Sequence, residues 1–468
     1  MKNTHNSEKP FEKYTAAFYT LGCRVNQYET RAIEEAFIAD GFEILPFEQK
    51  CDVYVINTCT VTAQSDRKSR QIIRRAVKTG GENAVVIVTG CMSQTNPTDT
   101  AKICGVDAVC GNGDKLMCAR LAKQLIAKKR ETNSQGIKEK SDTLSEHTAL
   151  NLVADISAFG EIEHMSVHGS DNTRAFLKIV DGCDNKCSYC IIPKARGHVR
   201  SKDLDEIEAE CKSITDAGCR EIVFTGIETA AFGKDAGITL ADLAERVSHI
   251  ENLKRIRFGS LEPTVITEDF ARRLSSIDKV MPHFHLSLQS GSDRILAKMR
   301  RKYNTRMFLE KLQLLRRYFE NVEITTDIIV GFPGETEEMF QETLCFAEKC
   351  KFLYIHIFPY SDRAGTEASE MPDKLSDKTK RQRAARLDEV MRKTRTSVLE
   401  KYKGCHAKVL WETKAYGMYH GYTQNYIEVK IPEANAPKLL PNDISDVILG
   451  SVCENAEYLD AKYQNTLF

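Results

Sequence analysis

The chain has 468 residues, with 66 Lys and Arg against 66 Asp and Glu, a length that exceeds one hydrophobic core and predicts two to four domains. A formal net charge of +0 excludes a global field that gathers polyanions, so any nucleic-acid surface must be a local patch. No segment reaches the ~18 uninterrupted apolar residues of a membrane span, and Met1 to Lys13 is polar, without an apolar signal core; the expectation is a cytoplasmic protein with no membrane, whose sixteen cysteines are thiols and metal ligands rather than disulfides.

In chain order, residues 14–130 alternate short apolar runs with amphipathic stretches, which predicts an open parallel α/β sheet. Three runs end alike: Phe18 to Gly22 leads into Cys23, Val53 to Thr58 into Cys59, and Val85 to Gly90 into Cys91. Each cysteine alone is explained as a buried core residue. Sites in open α/β sheets form at the carboxyl ends of neighbouring strands, however, so the repeated context predicts a shared three-thiol site. The other ten cysteines, Cys51, Cys104, Cys110 and Cys118 among them, lack that context.

Residues 131–172 are rich in Ser, Lys, Glu and Asn, with one apolar patch from Leu150 to Ile156, and read as a linker. Residues 173–403 carry six strand-like runs separated by helix-length stretches: Phe176 to Val180, Glu221 to Thr225, Arg255 to Ser260, Phe284 to Leu288, Glu323 to Val330 and Tyr354 to Phe358. They predict an incomplete (β/α)6 barrel with its site at the C-terminal strand ends. Its tail, Lys374 to Lys403, is helical with eleven Lys and Arg against four Asp and Glu, which suits a solvated face or an RNA-backbone contact. Residues 404–468 alternate short apolar runs with turns and predict a small β-barrel. With five Lys against eight Asp and Glu, it makes a poor phosphate surface.

The chemistry concentrates after the first barrel strand, in Cys183-Asp184-Asn185-Lys186-Cys187-Ser188-Tyr189-Cys190. Three thiolates at C-x3-C-x2-C spacing bind three corners of a cubane iron-sulfur cluster and leave the fourth iron open. The competing reading is a zinc knuckle, which takes its fourth ligand from a second paired motif. Spacing and the aromatic residue before the third Cys resemble the signature of radical S-adenosylmethionine (SAM) enzymes. That likeness implies SAM chelated at the open iron and cleaved reductively to a 5'-deoxyadenosyl radical, with the protein supplying orientation and exclusion of solvent. Three further strand ends have the composition to hold SAM: Thr225, Gly226 and Glu228 at the second strand, Ser287, Gln289 and Ser290 at the fourth, and Gly331, Pro333, Gly334 and Glu335 at the fifth. Glycines allow close backbone approach, and Ser and Gln can bond ribose or carboxylate, although each segment alone is also an ordinary βα turn.

Nearly the whole chain resembles the methylthiotransferases, a radical-SAM family with two 4Fe-4S clusters that adds sulfur and a methyl group at an unreactive C–H. Thr20 to Gln27, Asn57 to Thr62 and Thr89 to Cys91 match its N-terminal motifs; Asp181 to Gly197, Ser260 to Pro263, His285 to Ser292 and Gly331 to Thr336 match its barrel. The resemblance implies one cluster on Cys23, Cys59 and Cys91 that holds the sulfur species, and one on Cys183, Cys187 and Cys190 that binds SAM, both facing one cavity. It also implies a terminal TRAM domain and a reductant protein such as flavodoxin or ferredoxin. Leu21 to Thr30, Asp66 to Arg70 and Tyr354 to Ser361 look most like the branch that converts N6-threonylcarbamoyladenosine at position 37 of the tRNA anticodon loop to its 2-methylthio derivative, with SAM as methyl donor and radical source. Branches acting on isopentenyladenosine in tRNA or on a ribosomal-protein aspartate are the alternatives. The implied partner is the tRNA anticodon stem-loop, whose target base must leave the stack, with Arg196, Arg200, Arg300, Arg301 and the basic tail as candidate phosphate contacts. From a different class, an Fe-S carrier fits the cysteines but leaves Ser287 to Ser292 and Gly331 to Thr336 unexplained.

Overall fold

Strands that are apolar on both faces are stable only when both faces are covered, which favours a parallel sheet with helical crossovers. The computed structural model of this chain describes residues 13–134, 149–169 and 173–464. The polar start and residues 135–148 and 170–172 of the expected linker lie outside them. The chain divides into two units, residues 1–159 with 163–165 and residues 160–162 with 166–468.

The first unit is a sheet of six strands: β1 (Thr15–Thr20), β2 (Glu43–Ile44), β3 (Val53–Thr58), β4 (Val85–Gly90), β5 (Ala108–Cys110) and β6 (Leu150–Leu152). Their order is β2-β1-β3-β4-β5-β6 and every pairing is parallel. Every residue of β3 and β4 is buried, as the sequence runs require. The segment read as a linker is partly built into this unit. β6 pairs with β5, and the Glu163 carboxylate accepts the backbone N–H groups of Lys115 at 2.9 Å and Leu116 at 2.8 Å, just ahead of the helix Met117–Ser134. Three residues of strand are too few to declare themselves by alternation, and here the neighbouring strand supplies the order.

The second unit opens with β7 (Arg174–Asp181), β8 (Arg200–Ser201), β9 (Glu221–Gly226), β10 (Arg255–Phe258), β11 (His283–Gln289), β12 (Glu323–Val330) and β13 (Tyr354–Pro359). β8 lies antiparallel on the edge of β7. The other six follow one another in parallel, and the gap between β10 and β11 is bridged by Leu261 N–H to His285 O (2.9 Å) and Ser287 N–H to Leu261 O (3.0 Å). The expected six-stranded partial barrel is thus present. Leu177, Phe224, Ile256, Phe284, Leu286 and Ile324 turn outward into one core with helix residues such as Ile207, Leu243, Leu312 and Phe340. The alternate residues, including Arg174, Glu221, Arg255, Arg257, His283 and Asp327, line the other face.

A closed barrel follows, β14 (His406–Ala415), β15 (Met418–Tyr422), β16 (Glu428–Pro432), β17 (Ile444–Val452) and β18 (Leu459–Tyr463), in the order β14-β15-β16-β18-β17. It fills itself with Val409, Trp411, Val429, Ile431, Val447 and Leu449, and it seats on the N-terminal strand ends of the partial barrel. Glu221 is the centre of that joint, paired with Arg174, with Arg257 at 3.0 Å and with Arg255 at 3.7 Å. Arg255 donates to the carbonyl oxygens of Tyr422 (2.9 Å) and Lys408 (2.8 Å), Arg257 donates to Thr423 O (3.0 Å), and Arg174 reaches Glu412 at 2.7 Å. Tyr426 stacks on His283 with ring centroids 4.5 Å apart and lies under both Arg174 and Arg257. The basic tail is the helix Asp377–Glu400. Its Arg383 is buried against Glu335 and its Arg395 covers Tyr354, so part of that charge is structural, whereas Lys378, Arg381, Arg392 and Lys393 remain exposed.

Burial pushes the Glu221 carboxyl up, but Arg257, Arg174 and Arg255 outweigh it and hold the group down at about 2. Removing one partner of a buried ion pair strands the other charge, at a cost of about 3–5 kcal/mol. Glu221→Gln should therefore lose stability on that scale in urea denaturation of the full chain; a loss below about 1 kcal/mol would show that the pairing does not hold the joint.

Candidate active site

Parallel sheets place ligands where strand order reverses, outside the carboxyl ends of the strands. In the first unit that reversal lies between β1 and β3, with β2 beyond one and β4 beyond the other. Cys23 follows β1 and caps the helix Arg24–Ala39; Cys59 follows β3; Cys91 follows β4 and opens the helix Cys91–Thr95. Cys23 is exposed, while Cys59 and Cys91 are buried. The three converge. A Cβ on Gly22 would lie 2.9 Å from Cys59 Sγ, so the glycine before Cys23 leaves open the space beside the Cys59 sulfur. Gly90, before Cys91, has φ +102° and a Cβ there would sit 2.4 Å from Thr58 O. Only glycine fits at that crossing.

Burial pushes the Cys59 thiol up to about 11; the Val61 backbone opposes this, and the nearby Cys91 and Cys23 sulfurs add to it. Beneath the triad, Asn26 Nδ2 donates to Leu21 O (2.7 Å) and Thr58 O (3.0 Å), tying the first loop to the second. Lys115 Nζ pairs with Glu29 and reaches Asn57 Oδ1 at 3.0 Å, all fully buried. Asn112 Nδ2 lies 3.7 Å from Cys91 Sγ.

In the second unit, Cys183, Cys187 and Cys190 occupy the loop after β7 and are half-buried. Gly182 has φ +78° and its absent Cβ would meet His198 O at 1.8 Å, which lets Cys183 N–H bond Gly197 O at 3.0 Å. Ser188 N–H bonds Met299 O (3.2 Å) and Ser188 Oγ donates to Lys298 O (2.7 Å), fastening the middle of the loop to the C-terminal end of the helix Asp293–Lys298. Arg301 Nη1 lies 3.1 Å from Cys187 Sγ, with Nε on Tyr303 Oη (2.9 Å) and Nη2 3.4 Å from Glu262. Asn185 Nδ2 donates to Glu228 Oε2 at 2.7 Å, and the same oxygen is 3.9 Å from Cys183 Sγ. Burial pushes Cys183 up to about 12, with Glu228 adding, and pushes Cys190 up to about 11.

The strand-end residues expected to hold SAM divide in two. Glu228 stands at the triad, Thr225 closes β9, and Ser287 and Gln289, the latter with φ 69°, close β11. Others are engaged within the fold. Ser290 is fully buried, with Oγ 3.4 Å from Thr343 Oγ1. Glu335 accepts Gly331 N–H at 2.7 Å and pairs with Arg383. Gly226 makes room for Val180, Gly331 for Lys380 and Gly334 for Lys298, and Pro333 is buried in the same turn. Three arginines expected at phosphates are also internal. Arg196 is fully buried on Asp181, Arg200 donates to Arg196 O (2.7 Å), and Arg301 serves the triad; Arg300 is exposed and paired with Glu367. Sequence shows charge but not depth. Glu262 was within reach of the sequence, since Ser260 to Pro263 directly follows the third barrel strand.

Both donor sets fit a thiophilic metal cluster. Each offers three thiols, two of them buried and one exposed in the first set and all three half-buried in the second; one set lies beside a glycine-made space and the other has a guanidinium N–H on sulfur, the kind of bond that tunes iron-sulfur centres.

Comparison with known proteins agrees with this division. The family described as uncharacterized protein family UPF0004 matches residues 15–111, and the radical SAM superfamily matches residues 177–347. The chain is 40% identical over 422 residues, 89% of its length and 90% of the relative's, to the threonylcarbamoyladenosine tRNA methylthiotransferase MtaB of Bacillus subtilis (strain 168). To the protein of that name from Aquifex aeolicus (strain VF5) it is 38% identical over 88% of this chain and 96% of that one. Among solved structures, the radical S-adenosylmethionine methyltransferase TsrM from Kitasatospora setae aligns with a TM-score of 0.51 at 15% identity, covering 76% of this chain and 75% of that one, a likeness of fold.

Raised thiol pKa values delay thiolate formation, and thiolate is the nucleophile. In metal-free protein at neutral pH, Cys59, Cys183 and Cys190 should react with iodoacetamide at least tenfold more slowly than the exposed Cys104 and Cys405, and accelerate as pH rises towards 11. Peptide mass spectrometry reads each site, and equal rates at pH 7.5 would contradict the burial argument.

Proposed function

The chain belongs to the MtaB family of threonylcarbamoyladenosine tRNA methylthiotransferases, and on that footing we propose that it places a methylthio group on C2 of N6-threonylcarbamoyladenosine at position 37 of the tRNA anticodon loop. One observation carries the reading: Cys23, Cys59 and Cys91 gather at the carboxyl ends of β1, β3 and β4, in a chain whose barrel carries a second three-thiol loop.

Cys23, Cys59 and Cys91 would hold one 4Fe-4S cluster and Cys183, Cys187 and Cys190 the other. When bound, the latter supplies a coordination position for SAM and the electron that cleaves it. The protein's own groups prepare that place. Arg301, steadied by Glu262 and Tyr303, donates to the Cys187 sulfur and offsets the negative charge of gathered thiolates. Burial, with Glu262 adding, raises the Glu228 carboxyl, so Glu228 is a group able to hold a proton beside Cys183. Tyr189, Phe332 and Tyr360 pack edge to face behind the loop, together with Ile295 and Met299, and exclude water from it. Thr225, Ser287 and Gln289 at the strand ends, with Glu228 beside the triad, are the residues that would receive SAM. Lys378, Arg381, Arg392 and Lys393 are exposed and suited to RNA phosphates. The electron donor would be a flavodoxin- or ferredoxin-class protein. No described helix is long and apolar enough to cross a membrane.

Nucleosides from tRNA of a strain lacking this protein should lose 2-methylthio-N6-threonylcarbamoyladenosine and regain it on complementation; an unchanged profile would reject the assignment and direct attention to isopentenyladenosine or a ribosomal protein. Within the enzyme, Cys187→Ala should abolish SAM cleavage, whereas Cys59→Ala should retain cleavage and stop sulfur insertion. Equal loss of cleavage in both variants would overturn the division of labour.

A further inference from the structure

Strands β11, β12 and β13 lie parallel, with Asp327 beside His356 and Thr325 beside His285 in register. Residues on one face of such a sheet point the same way. The result is two imidazoles and a carboxylate whose ligand atoms all lie within 4.8 Å of one another, none of them part of a cysteine triad. Thr325 Oγ1 lies 3.0 Å from His285 Nδ1 and 3.1 Å from His283 Nε2. This fixes the His285 ring and turns its Nε2 towards Asp327, 3.1 Å from Oδ2.

That Nε2 is buried and makes no hydrogen bond. The distance to Asp327 suits one, but the direction does not, because a hydrogen bond needs the N–H axis aimed at the acceptor. A cross-strand ion pair built for stability would align the two atoms. Here the two atoms lie instead close enough to a third ligand atom, on His356, to share one ion with it. His356, whose ring centroid is 5.6 Å from that of His285, completes the set and is exposed, so the point is reached from solvent.

Two imidazole nitrogens and one carboxylate are the donor set that first-row divalent ions take when positions are left open, and a hydrogen bond at the other ring nitrogen, here with Thr325 Oγ1, fixes the ligating ring as outer-shell partners do. We propose that His285, Asp327 and His356 form a mononuclear divalent-cation site of the iron, zinc or manganese class inside the partial barrel, distinct from both cysteine triads. Asp327 and His356 each lie three residues before the last residue of their strands, which puts the site ~10 Å below the rim at ~3.3 Å per residue. Three protein ligands leave coordination positions for water or an oxygen donor entering from the strand ends.

The test uses the full chain with its iron-sulfur clusters loaded and oxidised, a diamagnetic state against which Mn2+ is visible by electron paramagnetic resonance. Titration with Mn2+ should show one ion bound per chain, with nitrogen couplings from imidazole, displaced by Zn2+. His356→Gln and Asp327→Asn should each weaken binding at least tenfold with iron content and melting temperature unchanged. His356 is exposed, so its variant decides the matter if the Asp327 variant does not fold. Absence of binding at millimolar Mn2+, binding without nitrogen couplings, or unchanged affinity in His356→Gln would overturn the site.

Discussion

A single carboxylate, Glu221, governs how the second unit is built. It is buried among three guanidinium groups at the N-terminal strand ends of the partial barrel, where an open arrangement of six strands leaves polar side chains that neither helices nor water cover. Burying one acid and three bases is costly unless the charges are paired and supported by further hydrogen bonds. The closed barrel gives these charges partners in the carbonyl oxygens of Lys408, Tyr422 and Thr423, the Glu412 carboxylate and the Tyr426 ring. The terminal domain is therefore a cap on the barrel's polar floor, and its acidic balance is partly accounted for by Glu412 facing Arg174.

At the opposite ends of the strands the constraint is steric. Gly22, Gly90 and Gly182 each precede a cysteine, and each takes a positive φ. At Gly90 and Gly182 a Cβ would collide with backbone oxygen, and at Gly22 it would take the space beside Cys59. The backbone thus turns sharply off the strand and delivers the thiol into the space above the sheet. This is why a motif in the first unit, scattered along the chain, and a contiguous motif in the second lead to the same local chemistry.

Much of this was legible in the sequence for identifiable reasons. Runs such as Val53 to Thr58 announce buried strands, and the repetition of strand then cysteine announces a shared strand-end site. The spacing of Cys183, Cys187 and Cys190 needs no tertiary knowledge at all. What escaped depends on partners distant in sequence. β6 exists because β5 offers it an edge. Arg196, Arg200 and Arg301 look like surface charges until Asp181, a backbone carbonyl and Cys187 are found beside them. Glu335 and Ser290 look like ligand-holding residues, and their neighbours turn out to be Arg383 and Thr343.

The burial of Cys59, Cys183 and Cys190 has a bearing on the chain in its metal-free state. Oxygen and peroxide attack thiolate far more readily than thiol, and a newly made chain must wait for iron and sulfide to be delivered. Burial raises the pKa of these thiols, which slows their oxidation during that interval, and a thiophilic cation displaces the protons when it binds. The desolvation that shapes the finished site thus also acts as a preservative for the unfinished one.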